Sequence, residues 1–412
     1  MSASVRERLR QRADYTHKYN SKSGRHGWLR LTPAYSVRVV EDLIERCDRP
    51  MRVFDPFSGT ATTALSAAYH GHEGVTTDIN PFLVWLGQAK TAHYPAETIA
   101  AARAACGRAL ETAKRGVVAP APAPPIHNIE RWWSPAALAF LRTLRASIEA
   151  ATAVASPERT LLLVAFCRSL IALSNAAFNH QSMSFKGDGG PPLDLGIDMP
   201  QCFADDVRFV LEGAAENPAG SGRVLLADSR AAAAVVQGPF DRVITSPPYA
   251  NRMSYIRELR PYMYWTGHLV NGRDAGELDW AAIGGTWGVA TSRLIEWDRG
   301  PERYTHSLLD EAVERIAHTD NKNGRILANY VGKYFDDMWT HFRGLTPVLA
   351  IGAETHYIVG NSTFYGVLLP VEQLYATMLR ALGFSEVECR PLRKRNSKKE
   401  LIEFDVRARW KG

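Results

Sequence analysis

Residues 52–63 read RVFDPFSGTATT, and this short run decides the fold. The stretch 52–55 predicts a strand, Pro56 to Gly59 a turn, and the Ala/Thr-rich residues that follow predict a helix closing near Gly71. In such a turn Gly59 lets backbone come close to a ligand, and the small residues Ser58, Thr60 and Ala61 keep the approach clear. Free amides at the helix start suit a carboxylate. The next segment, GVTTDINP (74–81), predicts a second strand ending in Asp78. That acid lies where one carboxylate can accept hydrogen bonds from both hydroxyls of a ribose. A plain tight turn with a capping aspartate remains the competing reading. The GK[ST] ending of a P-loop is absent, and only one glycine of a GxGxxG fingerprint is present. A nucleoside ligand without a pyrophosphate is therefore the better match.

Working outward, residues 25–50 predict a loop and then a helix carrying Val37, Val40, Leu43 and Ile44 at helical spacing. The block 91–221 differs in character. It opens with an alanine-rich helical run, passes through the proline-laden linker VVAPAPAPPIHN (117–128), and continues with helical segments at 134–151 and 158–177. A polar, glycine-rich loop follows (178–196). Strand patterns return at 223–228 and 240–246, then a helical aromatic stretch at 255–269. RILANYV (325–331) predicts a further buried strand, ETHYIVGNST (354–363) continues the pattern, and a helix over 371–384 feeds two late strands. Alternating strands and helices predict an α/β fold with a mainly parallel sheet and an antiparallel hairpin at one edge. The organisation expected is a cofactor half over 1–90, a helical insertion over 91–221 as candidate target recognition region, and a catalytic half over 222–412.

The sharpest pattern is TSPPY (245–249), directly after the strand FDRVI. Two consecutive prolines at a strand end fix a rigid turn. An exocyclic amino group has two hydrogens that need acceptors, and the Ser246 hydroxyl and Pro247 carbonyl are placed to receive them. Pro248 completes the turn, and Tyr249 can stack on a base. An amino nitrogen conjugated to a ring is a poor nucleophile, so such a site must work by alignment and by stabilising charge on nitrogen. No Pro–Cys dipeptide occurs that would supply a thiolate for attack at ring carbon 5.

Taken together, DPFSGTATT, TTDINP and FDRVITSPPY resemble the DNA amino-methyltransferases of restriction–modification systems. Phe57 to Ala61 match that family's FxGxG-type cofactor loop, with Ala61 in place of its second glycine. Ser246 to Tyr249 match its catalytic tetrapeptide, and a serine at the first position is similar to the cytosine-N4 branch. HGWLRLTPAYS (26–36) looks like the segment flanking the methionine end of the cofactor. The resemblance covers roughly 1–90 and 222–412. It implies a Rossmann-like class I S-adenosylmethionine-dependent methyltransferase fold with a seven-stranded sheet. It also implies Asp55, Pro56, Phe57, Ser58, Gly59, Thr60, Thr62, Asp78, Ile79, Asp228, Thr32 and Pro33 as cofactor-binding residues. The partners implied are double-stranded DNA, with the target base rotated out of the helix, and a cognate restriction endonuclease acting separately.

Composition sets looser bounds. The 412 residues carry a net charge of +6 with 46% hydrophobic residues, which is compatible with a polyanionic partner without demanding one. No apolar run reaches the ~18 residues of a membrane span, and the charged N-terminus lacks the apolar core of a secretory signal, so a cytoplasmic protein is expected. Five scattered cysteines, Cys47, Cys106, Cys167, Cys202 and Cys389, suggest neither a metal site nor disulfides. Candidate DNA contacts are Asn179, His180 and Lys186 in the glycine-rich loop, Arg252, Arg257 and Arg260 after the proline turn, and Arg393 and Arg395 in the basic run RPLRKRNSKK (390–399). Structural ion pairs compete with phosphate contacts for these arginines. The small-residue loop GGTWGVATSRL (284–294) is expected near the cleft. Adenine-N6 methylation, an RNA or small-molecule amino substrate, and a non-catalytic binding module stay open as alternatives.

Overall fold

The computed structural model describes residues 9, 12–21, 24–29, 31, 35–44, 49–177, 184–185, 196–301, 303–319, 323–395 and 401–412. Its centre is a seven-stranded sheet. In chain order the strands are β1 (Arg52–Asp55), β2 (Glu73–Asp78), β3 (Ser221–Leu226), β4 (Phe240–Thr245), β5 (Leu349–Gly360), β6 (Ser385–Lys394) and β7 (Ile402–Arg409). Their spatial order is β3-β2-β1-β4-β5-β7-β6. β1 to β5 run parallel, while β7 lies antiparallel to both β5 and β6. This is the Rossmann-like methyltransferase arrangement expected from the sequence.

The sheet is buried on both faces, as parallel sheets are. Along β1, Val53 points into a cluster with Val40, Ile44, Ala67 and Ile244, whereas Phe54 points the other way into a cluster with Val75, Val243, Tyr357 and Phe342. Helices α1 (Val37–Ile44) and α2 (Thr62–Tyr69) supply the first face. β2 leads into α3 (Pro81–Thr91), and the block before β3 holds α4 (Ala96–Arg115), α5 (Pro135–Ala151), α6 (Pro157–Ala172) and α7 (Met199–Ala215). Capping explains where several of these begin: Asn80, Ser134 and Ser156 each accept a backbone N–H from the first turn, with proline at the next position. The block shares one apolar cluster with Trp28, Phe82 and Leu86.

β4 is followed by α8 (Tyr255–Thr266), α9 (Gly272–Ala281), α10 (Val289–Glu296), α11 (Ser307–Ala317), α12 (Gly324–Leu345) and, after β5, α13 (Val371–Ala381). Two local expectations are corrected here. RILANYV is no strand but the first two turns of α12, a 22-residue helix. Its apolar residues continue as Leu327, Val331, Tyr334, Met338, Phe342 and Leu345, all buried, a stripe of period 3.6 that a seven-residue window cannot distinguish from a strand. Likewise the second half of GGTWGVATSRL is helix α10.

Candidate active site

β1 and β4 are neighbours, with Val53 opposite Arg242 and Phe54 opposite Val243. The glycine turn after β1 and the proline turn after β4 therefore emerge side by side at the carboxyl edge of one sheet. A latch fixes them to each other. Asp55, fully buried, accepts from Thr245 Oγ1 (2.6 Å), Thr63 Oγ1 (2.7 Å) and the Phe57 amide (3.0 Å). Burial still raises its carboxyl to about 6. The same Thr63 hydroxyl lies 3.0 Å from the Ile244 carbonyl, and Tyr35 bonds Thr63 from the α1 side. Asp55 thus lies beneath the turns and is not in the cavity wall, unlike Pro56, Phe57, Ser58, Gly59, Thr60 and Thr62.

One cavity spans both turns. Its wall includes Pro56, Phe57, Ser58, Gly59, Thr60, Thr62, Asp78, Ile79 and Asp228 on one side and Ser246 and Pro248 on the other. Gly59 takes φ 49° and Ala61 φ 59°, so the turn uses left-handed backbone at two positions, the second held by a residue small enough to tolerate it. Asp78 receives the Gly59 amide (2.9 Å) on one oxygen and the Asn80 amide (2.8 Å) on the other. Those bonds aim the carboxylate while leaving outer lone pairs for ligand donors, and burial lifts its carboxyl to about 7. The Ser58 hydroxyl is buried in the wall with no hydrogen-bond partner among the described residues, a polar atom that a ligand would satisfy. Asp228 is committed differently, since Arg230 grips it at 2.6 Å and also reaches Asp337 at 2.7 Å.

S-adenosylmethionine is the cofactor that methyltransferases of this fold use, and the donor set fits it. Asp78 suits ribose hydroxyls, the Ser58 hydroxyl suits the amino-acid end, and Leu31, Ile79 and Leu83 give an apolar bed. Of the segment 26–36, Leu31 and Tyr35 line the cavity, whereas Thr32 and Pro33 lie outside the described residues.

On the target side, Ser246 donates its hydroxyl proton to the Ile358 carbonyl (3.1 Å), which leaves its oxygen lone pairs as acceptors. The Pro248 carbonyl accepts from Tyr334 (2.7 Å). The Tyr249 hydroxyl donates to Glu403 (2.8 Å), and the Arg395 guanidinium lies 4.7 Å from the Tyr249 ring centroid. Glu403 is itself gripped by Arg393 through two nitrogens at 2.7 and 3.0 Å. Arg393 is therefore an ion-pair partner, and Arg260 is stacked on Trp287 at 4.4 Å with its Nε on the Arg257 carbonyl. Arg252 is exposed, with φ 60°, and Arg257 is half-buried. Asn179, His180 and Lys186 lie outside the described residues.

Several wall residues escaped the sequence reading. Asp279, which lines the cavity, holds the Ser254 hydroxyl and the Trp287 amide (2.7 Å), so the loop after it places Ile283 and Gly285 in the wall. Lys90, fully buried, props the turn from behind through Thr60 O (3.1 Å) and His26 O (3.4 Å), and burial lowers its amine to about 7. Glu403 had a readable signal: an acid inside the apolar alternation of a strand. Among the described residues no group of three His, Cys, Asp or Glu could hold a metal, and no helix is long and apolar enough to cross a membrane.

No family model matches the chain. It is similar to the Type II methyltransferase M.BsoBI of Geobacillus stearothermophilus, with 26% identity over 189 residues, 40% of this chain and 36% of that protein. The chain thus matches little more than a third of that relative's length. A comparison of structures pairs it with the crystal structure of TrmN from Thermus thermophilus at 11% identity and a TM-score of 0.30, over 96% of this chain and 53% of that one.

Proposed function

We propose that the protein is an S-adenosylmethionine-dependent methyltransferase acting on the exocyclic amino group of a DNA base, with cytosine N4 as the target. The observation that carries this reading is the single cavity shared by the Gly59 turn and the Ser246–Pro248 turn. S-adenosylmethionine bound at the first turn supplies an electrophilic methyl group. The residues of the second turn hold the amino group: Ser246 Oγ and the Pro247 carbonyl each accept a hydrogen bond from one of its two N–H groups, which turns the nitrogen lone pair out of conjugation, and one of these protons passes to solvent as the methyl is transferred. Tyr249 stacks on the extruded base. Because Ser246 spends its own proton on Ile358, it can serve only as an acceptor from its remaining lone pairs, as this role requires. The similarity to a Type II methyltransferase supports DNA as substrate, and a cognate endonuclease acting separately belongs to the same proposal. The helical block 91–221 is the region we assign to target recognition.

Incubation with labelled cofactor and duplex DNA, followed by mass spectrometry of the nucleosides, tests the reading. N4-methylcytosine is the expected product. N6-methyladenine would move the target to the other amino base, and label in RNA alone would overturn DNA as the substrate.

A further inference from the structure

A second cavity lies on the far side of the catalytic turn. It has a volume of about 260 Å³, far beyond the ~15 Å³ that one water needs. The chain passes from one cavity to the other across Tyr249: Ser246 and Pro248 line the first, Asn251 and Arg252 the second. The second wall also includes Ser362, Phe364 and Tyr365 after β5 and Arg395 just past the end of β6. Arg395, in the second wall, also lies over the Tyr249 ring.

Three features of this wall ask for a ligand. Arg252 and Arg395 have no carboxylate within ion-pair distance among the described residues, unlike Arg393 beside them. Ser362 is only 4% exposed and its hydroxyl has no hydrogen-bond partner among the described residues, a cost that a free protein carries for no structural return. Tyr365, at the tip of the short hairpin Ser362–Phe364/Val367–Leu369, is 43% exposed and held at φ 47°. Two arginines with no carboxylate beside them among the described residues, a hydroxyl without a described partner and an exposed aromatic ring together match the chemistry of a nucleotide, with its phosphate, its polar edge and its flat base.

We propose that this cavity is a subsite for the nucleotide adjoining the methylated one on the same DNA strand. Its phosphate sits between Arg252 and Arg395, its base stacks on Tyr365, and Ser362 donates to it. The inference rests on the DNA reading above and adds a site that reading does not contain.

The test uses the full chain and a duplex substrate identified by the methylation assay. Ser362→Ala should weaken duplex binding about three- to tenfold while leaving Tm unchanged or higher, because it removes an unsatisfied buried hydroxyl. Tyr365→Ala should weaken it about tenfold or more. Arg252→Ala should lower the slope of log affinity against log salt by about 1. A photoreactive 5-iodo-uracil placed one position from the target should crosslink to Tyr365, and one at the target position should not. Duplex binding by Ser362→Ala and Tyr365→Ala equal to wild type, or crosslinking from the target position itself, overturns the subsite while the methylation assay still stands. Absence of methylation of any nucleic acid by the wild-type chain overturns both.

Discussion

The Gly59 turn and Asp78 are held by near neighbours in sequence, whereas the proline turn and the Tyr249 that follows it draw their supports from the far edge of the sheet. Gly59 bonds an acid 19 residues away, on the next strand. Tyr249 bonds an acid 154 residues away, and Pro248 bonds a tyrosine 86 residues away. The first is set by backbone amides, the second by side chains. This teaches that the Gly59–Asp78 pairing is a property of one βαβ unit, while the supports of the proline turn are a property of the whole fold. It also means that substitutions on the two sides should separate cleanly in their effects.

Tyr249→Ala is the strongest attempt to break that separation. If Tyr249 aligns the base and takes no part in the cofactor side, turnover should fall on the order of a hundredfold or more, with cofactor affinity by calorimetry nearly unchanged. A comparable loss of cofactor affinity would show that the two walls act as one. Asp78→Ala is the reciprocal test. Loss of charged hydrogen bonds to ribose should weaken cofactor binding by on the order of thirtyfold, while the fold and duplex binding persist.

The contrast also governs what could be read before any coordinates. The glycine turn, the acid after β2 and the proline turn were legible because each depends on a strand end and its next few residues. The placement of Asp55 was not: an aspartate opening a ligand loop looks the same in sequence whether it faces the cavity or, as here, the Thr63 and Thr245 hydroxyls below it. The strand assigned to 325–331 failed because a short apolar run has no period of its own. The basic run 390–399 was visible as charge, yet its division of labour was not, since only register in the β6–β7 hairpin puts Arg393 on Glu403 and Arg395 over Tyr249.

Acidity sharpens the comparison further. Burial raises Asp78 to about 7, above the ~3.9 of an unfolded aspartate. The ligand-free fold therefore binds a proton that the unfolded chain has lost, and its stability declines as pH rises from about 4 to about 7. Ribose hydroxyls donate to the ionised form, so cofactor affinity should move the opposite way. We expect a rise of about tenfold between pH 6 and 8, with proton release seen by titration in two buffers of different ionisation heat. Asp78→Asn should flatten that dependence. A pH-independent wild-type affinity would remove Asp78 from the cofactor contact.

The smallest expected effect tests how the long-range wall holds its tyrosine. Glu403 is 4% exposed, takes the Tyr249 hydroxyl at 2.8 Å and is charge-paired with Arg393 at 2.7 Å. Glu403→Gln keeps an oxygen for the tyrosine but removes the charge that fixes Arg393, so the ring should lose orientation without losing its place. A drop of about threefold to fivefold in kcat is expected, with KM for cofactor unchanged. The same substitution made in Tyr249→Phe should cost almost nothing more, because the hydroxyl through which Glu403 acts is already gone. If the two losses instead multiply, Glu403 supports the edge of the sheet at large and the tyrosine is oriented by Arg395 and the proline turn alone.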